Sequence, residues 1–381
     1  MAYVAVKGGR AAIENACRLL ARERIKGNTP LLRTDQIREQ LYLLVDRVMG
    51  EGALYAPDLA ALAVKQSAGD TLEAAFMVRA FRTTLPRIGY SLPRSTGDMR
   101  VIRRISAAFK DIPGSQILGP TSDYSLRLLD FDLFEETEAD RNRFRRELEA
   151  VLPEAAPWPP SFPKIVGILQ QEGLLSPSSP VKDGPSQRET LVDLTRESLT
   201  FPAPRSAVLQ ALARSETGGV LAFAYSSMRG YGNVHPTIGE LRVGYVPLTF
   251  QHPHTGRPYV PGEVKVTEAE IVARFNDPEG KPMFRLGYGL CFGQNEIKAI
   301  SMAVLDRTLQ ADSPRSPAED PEFVLSHVDG IEAMGFCHHW KLPHYVDFQS
   351  DLDRLRKAQR IYATQKLAEP QRQEKEKDRS I

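Results

Sequence analysis

Apolar positions in the first hundred residues recur at helical spacing. Residues 4–6 form a short apolar start that Gly8 and Gly9 interrupt, and Ile13, Ala16, Cys17 and Leu20 then predict a helix to about residue 25. Thr34, Asp35 and Gln36 make a helix start, and Ile37, Leu41, Leu44, Val45 and Val48 form one stripe that ends at Gly50. Pro57 opens a third helix carrying Leu59, Leu62 and Ala63. Asp70 and Glu73 make the D-x-x-E capping pattern of a fourth.

The pattern changes after residue 155. APWPPSFPK and SPSSPVKDGPS bracket an amphipathic stretch at 165–175, and prolines and serines at this density predict surface connectors. Beyond them the period falls toward two, predicting strands at 220–225, 241–250, 264–275 and 284–292. A helix follows at 295–309, with Ile297, Ile300, Val304 and Leu305 on one face, and another runs from 347 toward 367. The closing EPQRQEKEKDRSI is nearly all polar and predicts a solvated tail. The fold class is α+β: a helical N-terminal region, then a mixed α/β domain with mainly antiparallel strands. The divisions expected are 1–135 mainly helical, 136–200 a Pro/Ser-rich connector or insertion, 201–346 an α+β candidate active-site domain, and 347–381 a C-terminal helix and charged tail.

Composition narrows the function classes. Lys and Arg number 49 against 48 Asp and Glu, so no global field draws the chain to nucleic acid or an anionic membrane, and a phosphate-bearing ligand needs a local cluster. Cys17, Cys291 and Cys337 are odd in number and far apart, which supplies neither a disulfide framework nor a CxxC knuckle. With no signal-like start and no membrane-length apolar run, a cytoplasmic location is expected.

Three segments concentrate chemistry. GFCHHWKLPHYVDF, residues 335–348, holds three of the seven histidines. His339 and His344 are five apart, with Pro343 between them, so they converge only across a turn, and two imidazoles leave a tetrahedral site incomplete. Spacing alone favours imidazoles that cap backbone carbonyls. MRGYGNVHPTIGEL, residues 228–241, offers Arg229 for phosphate, the flexible Gly230, Tyr231 and Gly232, and His235 and Glu240 as acid, base or ion stabiliser. An ordinary hairpin loop fits it as well. RLGYGLCFGQNEIKAI, residues 285–300, brings Arg285, Tyr288 and Gly289 before a helix start with Glu296 and Lys298, an arrangement suited to an anion. Glu296 also fits simple compensation of the helix dipole.

Taken in order, YVAVKGG, FKDIPGSQILGPTSDYSLRLLDF, RGYG with its His-Pro step, RLGYGLCFGQNEIKA and KLPHYVDFQ resemble the PhnI subunits of bacterial carbon-phosphorus lyase over nearly the whole chain. The likeness is weakest between about 135 and 195. It departs at Val234, which precedes His235 where family members place asparagine. The resemblance implies a core assembly with PhnG, PhnH and PhnJ and with the ATPase-like PhnL and PhnK. It implies a reaction in which a phosphonate displaces adenine from the ribose of ATP, giving ribose 1-phosphonate 5-triphosphate, and purine nucleosidase-like behaviour of the subunit alone. It further implies that His339 and His344 bind zinc or another divalent metal toward PhnJ, whose radical chemistry the scattered cysteines here do not support.

Breaking an N-glycosidic bond builds positive charge on the sugar, so a carboxylate near C1 and cations for the phosphonate lower the barrier. Glu240 and then Glu296 are the expected carboxylates, and Arg229, Arg285 or the histidine-bound metal the expected cations. This expects the turns around Tyr231, Tyr288 and Tyr345 to share a positively lined hollow. The alternative is a scaffold subunit that supplies the histidine pair and binds no nucleotide.

Overall fold

The computed structural model describes residues 9–151, 162–176, 192–231, 236–276, 280–311 and 313–377, with the backbone alone for 230, 231 and 368–377. In chain order its elements are α1 (Arg10–Ile25), α2 (Thr34–Gln40), α3 (Tyr42–Gly52), α4 (Pro57–Gln66), α5 (Thr71–Thr83), β1 (Arg100–Ile105), α6 (Glu138–Val151), α7 (Ile165–Gln171), α8 (Arg205–Arg214) and α9 (Thr217–Ser226). There follow β2 (Thr237–Gln251), β3 (Pro258–Asn276), β4 (Pro282–Phe292), α10 (Glu296–Thr308), α11 (Pro321–His327), α12 (Gly330–His339) and α13 (Tyr345–Lys377). Helices and an antiparallel sheet together make the chain α+β. No helix among the described residues is long and apolar enough to cross a membrane.

Two compact units divide the chain: Pro30–Ile331, and Met1–Thr29 with Glu332–Ile381. In the first, α2 to α5 close a small core around Ile37, Val48, Ala60 and Val78. Asp70 caps α5 by accepting from the Glu73 amide at 3.1 Å. The stripe read as one helix from Thr34 is two, because α2 ends at Gln40 and α3 starts at Tyr42, with the non-helical Leu41 between them.

The sheet of that unit runs β1-β2-β3-β4, every neighbour antiparallel. Its strands send odd and even residues to opposite faces. On one face Leu241, Ala269, Ile271 and Cys291 pack against Ala299, Met302 and Ala303 of α10. Gly287 and Gly289 make that packing possible: a Cβ at Gly289 would lie 2.0 Å from the Ala299 carbonyl oxygen, and one at Gly287 would lie 2.1 Å from that of Ala303. These glycines admit a helix backbone.

The strand expected at 220–225 is instead helix α9. Short apolar runs do not separate strand from buried helix by period, and the decisive signal lies just upstream. The Glu216 carboxylate accepts from the amides of Gly218 at 2.7 Å and Gly219 at 2.8 Å, capping a helix whose Val220 and Ala224, four apart, enter the core. The apolar start at 4–6 lies outside the described residues. The end expected as a solvated tail is helical through Lys377, in keeping with the helix propensity of its Glu, Gln, Lys and Arg residues.

Gly289→Ala is expected to destabilise the protein by roughly 1–3 kcal/mol in urea unfolding, since the α10 backbone cannot yield as a side chain would. Gly167→Ala, whose Cβ would meet nothing within 4 Å inside α7, is expected to leave stability equal or higher.

Candidate active site

The face of the sheet turned away from α10 carries a band of charge between two apolar patches. On one side of the band lie Met99, Val101, Phe162, Val246, Val264 and Val266, and on the other Val166, Leu169, Leu175 and Val272. Between them Glu240 stands opposite Glu270, Arg242 opposite Glu268, and Tyr288 beside Glu270 on the next strand. Arg104 of β1 pairs in register with Arg242. All these charged side chains are at most 4% exposed. A bulge between Val101 and Arg103 shifts the alternation of β1, so that Arg104 rather than Arg103 shares the face of Val101. Arg104 joins the band. Arg103 turns to the helix side, where it pairs with Asp123 and, at 2.9 Å, with Glu296.

Charges withdrawn from water must be paired, and most here are. Glu240 receives Arg104 Nε at 2.5 Å and the Ile165 amide at 3.2 Å, and Arg242 Nε lies 2.8 Å away. The remaining Arg104 donors go to the carbonyls of Pro113 at 2.6 Å and Pro163 at 2.7 Å. Glu268 Oε1 accepts from Thr96 Oγ1 at 2.5 Å, Lys164 Nζ at 2.8 Å and Tyr288 Oη at 2.9 Å. Lys164 also donates to Glu270 Oε1 at 2.8 Å. Three atoms of the band have no hydrogen-bond partner among the described residues: Glu270 Oε2, Arg242 Nη1 and Arg242 Nε, the last of which still has its ion pair with Glu240.

The electrostatics follow from this wiring. Burial is the main cause that raises the Glu270 carboxyl above the ordinary carboxylate range, with Glu268 and Glu240 adding to it and Lys164 opposing. Burial works against the Lys164 ammonium, yet Glu268 and Glu270 outweigh it and its pKa is raised. Burial, then the charge of Glu268, holds the Tyr288 phenol well above its usual value. Burial and its like-charged neighbours thus make Glu270 harder to ionise than an exposed carboxyl.

Of the residues singled out in the sequence, Glu240 and Tyr288 belong to this band. Gly289 does not, since it faces α10. Arg229 is exposed at the π-helical turn after α9, 5.6 Å above the Tyr225 ring. Arg285 lies over Phe275 at 4.0 Å and donates to the Gln310 carbonyl at 3.1 Å. Glu296 is committed to Arg103. Lys298 is 1% exposed, with no hydrogen-bond partner among the described residues, and burial pulls its ammonium below the ordinary range. Beside it burial pushes the Cys291 thiol up to about 12. Gly230 and Tyr231 lie in the π-helical turn, and the Tyr231 side chain, Gly232 and His235 fall outside what is described. Arg104, Lys164, Arg242, Glu268 and Glu270 were missed. The signal was present in the EAE of β3 and the ELR of β2, charges two apart inside otherwise apolar strands.

In the other unit, His339 ends α12 and His344 precedes α13, their ring centroids 5.3 Å apart. Each turns Nδ1 to a backbone carbonyl, His339 to Phe336 and His344 to Leu342 at 2.6 Å. That leaves the lone pairs of both Nε2 atoms free beside a cavity of about 570 Å³ also lined by Trp340, Tyr345 and Asp347. No set of three or more His, Cys, Asp or Glu able to hold a metal occurs among the described residues. The pair fits half of a tetrahedral shell.

Comparison with known proteins gives one consistent answer. A family model described as bacterial phosphonate metabolism protein (PhnI) matches residues 2–362. A protein of Stutzerimonas stutzeri, provisionally named as the C-P lyase subunit protein HtxH, is 55% identical over 94% of this chain and 96% of its own. The alpha-D-ribose 1-methylphosphonate 5-triphosphate synthase subunits PhnI of Rhizobium meliloti and Escherichia coli are similar at 47% and 46% identity, covering 94% of this chain and 95% and 98% of theirs.

Arg104→Met is expected to cost about 3–5 kcal/mol in urea unfolding, because it leaves Glu240 buried with half its compensation and strips the Pro113 and Pro163 carbonyls of their donor.

Proposed function

The chain belongs to the PhnI family of bacterial phosphonate metabolism proteins, and from that premise we propose that it is a subunit of an alpha-D-ribose 1-methylphosphonate 5-triphosphate synthase whose chemistry takes place at the charged band. In that reaction a phosphonate displaces adenine from C1 of the ribose of ATP. The observation that carries the reading is the gathering of Glu240, Glu268 and Glu270 with Arg104, Arg242 and Lys164 on one sheet face. Ionised carboxylates stabilise the positive charge that grows on the sugar ring, and fixed cations receive an anionic phosphonate without reorganising. With three carboxyl groups gathered beside three cations, the band suits a centre where charge separates better than a seat for a whole triphosphate. Arg229, exposed beside it in sequence, and the segment holding His235 are the nearest candidates for the phosphate tail.

Adenine release belongs to this subunit, with a purine nucleosidase-like activity when it is alone. His339 and His344 hold zinc or another divalent cation through Nε2, and the remaining ligands come from a neighbouring subunit. The core partners in this reading are PhnG, PhnH and PhnJ, with PhnL and PhnK as ATPase-like components. The metal supplies a Lewis acid where subunits meet. Exposed Phe336, Trp340 and Tyr345 around the pair suit such a contact.

The test is adenine release from ATP and methylphosphonate by the reconstituted complex, followed by chromatography. Glu240→Gln and Glu268→Gln are each expected to lower the rate at least about 100-fold with assembly retained. Normal release by both would leave the subunit a scaffold. His339→Ala with His344→Ala is expected to abolish bound metal in the assembled complex, and unchanged metal content would remove the ligand assignment.

A further inference from the structure

Resting on that reading of the band, we propose that Glu270 is the proton donor to the departing purine, delivering the proton from Oε2, and that Arg242 Nη1 receives the incoming phosphonate.

The three carboxylates of the band are wired unequally. Both oxygens of Glu240 meet donors, from Arg104 and from the Ile165 amide. Glu268 Oε1 alone receives three donors, from Thr96, Lys164 and Tyr288. Each such donor favours the carboxylate over the acid. Glu270 receives only Lys164, which it shares with Glu268, and stands in register with Glu240 on the next strand. Its Oε2 is buried and meets no donor among the described residues. A proton on that oxygen removes a third like charge from a crowded band, but it creates an O–H with no protein acceptor. A buried donor left unmade costs about 1–3 kcal/mol, so the arrangement is incomplete until something accepts. A purine ring nitrogen is an acceptor of the right kind.

Arg242 poses the complementary problem. Its Nη2 donates to the Phe162 carbonyl at 3.0 Å and its Nε lies by Glu240, while Nη1 has no acceptor among the described residues at 1% exposure. An anionic oxygen satisfies it. Arg242 is the diagonal neighbour of Glu270 across β2 and β3, a separation of roughly 7–8 Å between backbones. One unmatched donor group for an anion and one unmatched carboxyl oxygen thus flank Glu268, which stands opposite Arg242 and two residues from Glu270 on the same face. That order matches the reaction: phosphonate, sugar cation, purine.

The step balances. A phosphonate oxygen bonds to C1 as the C1–N9 bond breaks, and the electron pair of that bond passes into the purine ring. The Oε2 proton moves to a ring nitrogen, so adenine leaves neutral. Glu270 is left as a carboxylate and regains a proton from solvent before the next turnover.

Two leaving groups separate this role from a structural one. In the reconstituted complex, Glu270→Gln is expected to slow adenine release from ATP at least about 100-fold. With a ribose 5-triphosphate carrying nitrophenolate at C1, which departs without a proton, the same variant is expected to stay within a few-fold of the parent. The parent loses rate on adenine as pH rises through the Glu270 pKa, because the acid form is the active one, and Glu270→Gln removes that alkaline limb. Equal losses on both leaving groups, or normal adenine release, overturn the proposal. Glu268→Gln is the companion: slowed on both leaving groups while Glu270→Gln is normal, it overturns the proton-donor role alone. Normal rates for both variants on both substrates take away the siting of the reaction as well. Should Glu270→Gln fail to assemble, Glu270→Asp, which keeps the acid but withdraws it by one methylene, carries the same comparison.

Discussion

Everything at the candidate site follows from one constraint: five charged side chains are held out of water on one face of a four-stranded sheet, with the half-buried Lys164 reaching over them, and each needs a partner there. Desolvation costs several kcal/mol for each charge, so the band survives only because its members neutralise one another at hydrogen-bond distance. The neighbouring structure is arranged around this need. Residues 162–165 offer two carbonyls, an ammonium and an amide to the band, and Thr96 reaches it from the other side. The apolar patches on either side exclude water and strengthen every pairing between them. Removing one cation therefore does more than weaken a contact, since it exposes a neighbouring carboxylate to an environment that cannot solvate it.

The opposite face works by the contrary rule. There the strands carry small and apolar side chains, and Gly287 and Gly289 let α10 lie close against β4. The pleat thus separates two jobs along the same residues: odd positions of β4 bind the helix, even ones line the band. The bulge in β1 extends the division, directing Arg103 to the start of α10 and Arg104 to the band. A one-residue slip of register would exchange the two faces and place glutamates against α10, so the helix contact also fixes where the charges point.

How much of this was legible in the sequence depends on how local each signal is. Capping of α5 by Asp70 and the strands near 241–250, 264–275 and 284–292 are written in neighbouring residues and were read from them. The helix at α9 was misread because its apolar run is short and its cap, Glu216, is not among the usual capping residues. Gly289 was read as part of an anion-binding approach to a helix start, and only the fold shows that it faces the α10 backbone. The band was half legible. Glu240 was found through its motif, but Glu268 and Glu270 sit in a strand without glycine or histidine to mark them. Their meaning depends on Lys164, more than 100 residues away in sequence and next to a proline-rich stretch that draws no attention.

A buried polar network whose every atom is matched is a structural core, because no free-energy gain remains for a ligand to collect. This band is matched at Glu240 and Glu268 and unmatched at Glu270 Oε2 and Arg242 Nη1. Partial satisfaction is the costly state, and a sequence selected for stability alone would replace those side chains with apolar ones of similar volume. Glutamate and arginine at these two positions instead keep a carboxyl oxygen and a guanidinium nitrogen without partners among the described residues on adjacent strands. Neither demand is met by the described residues.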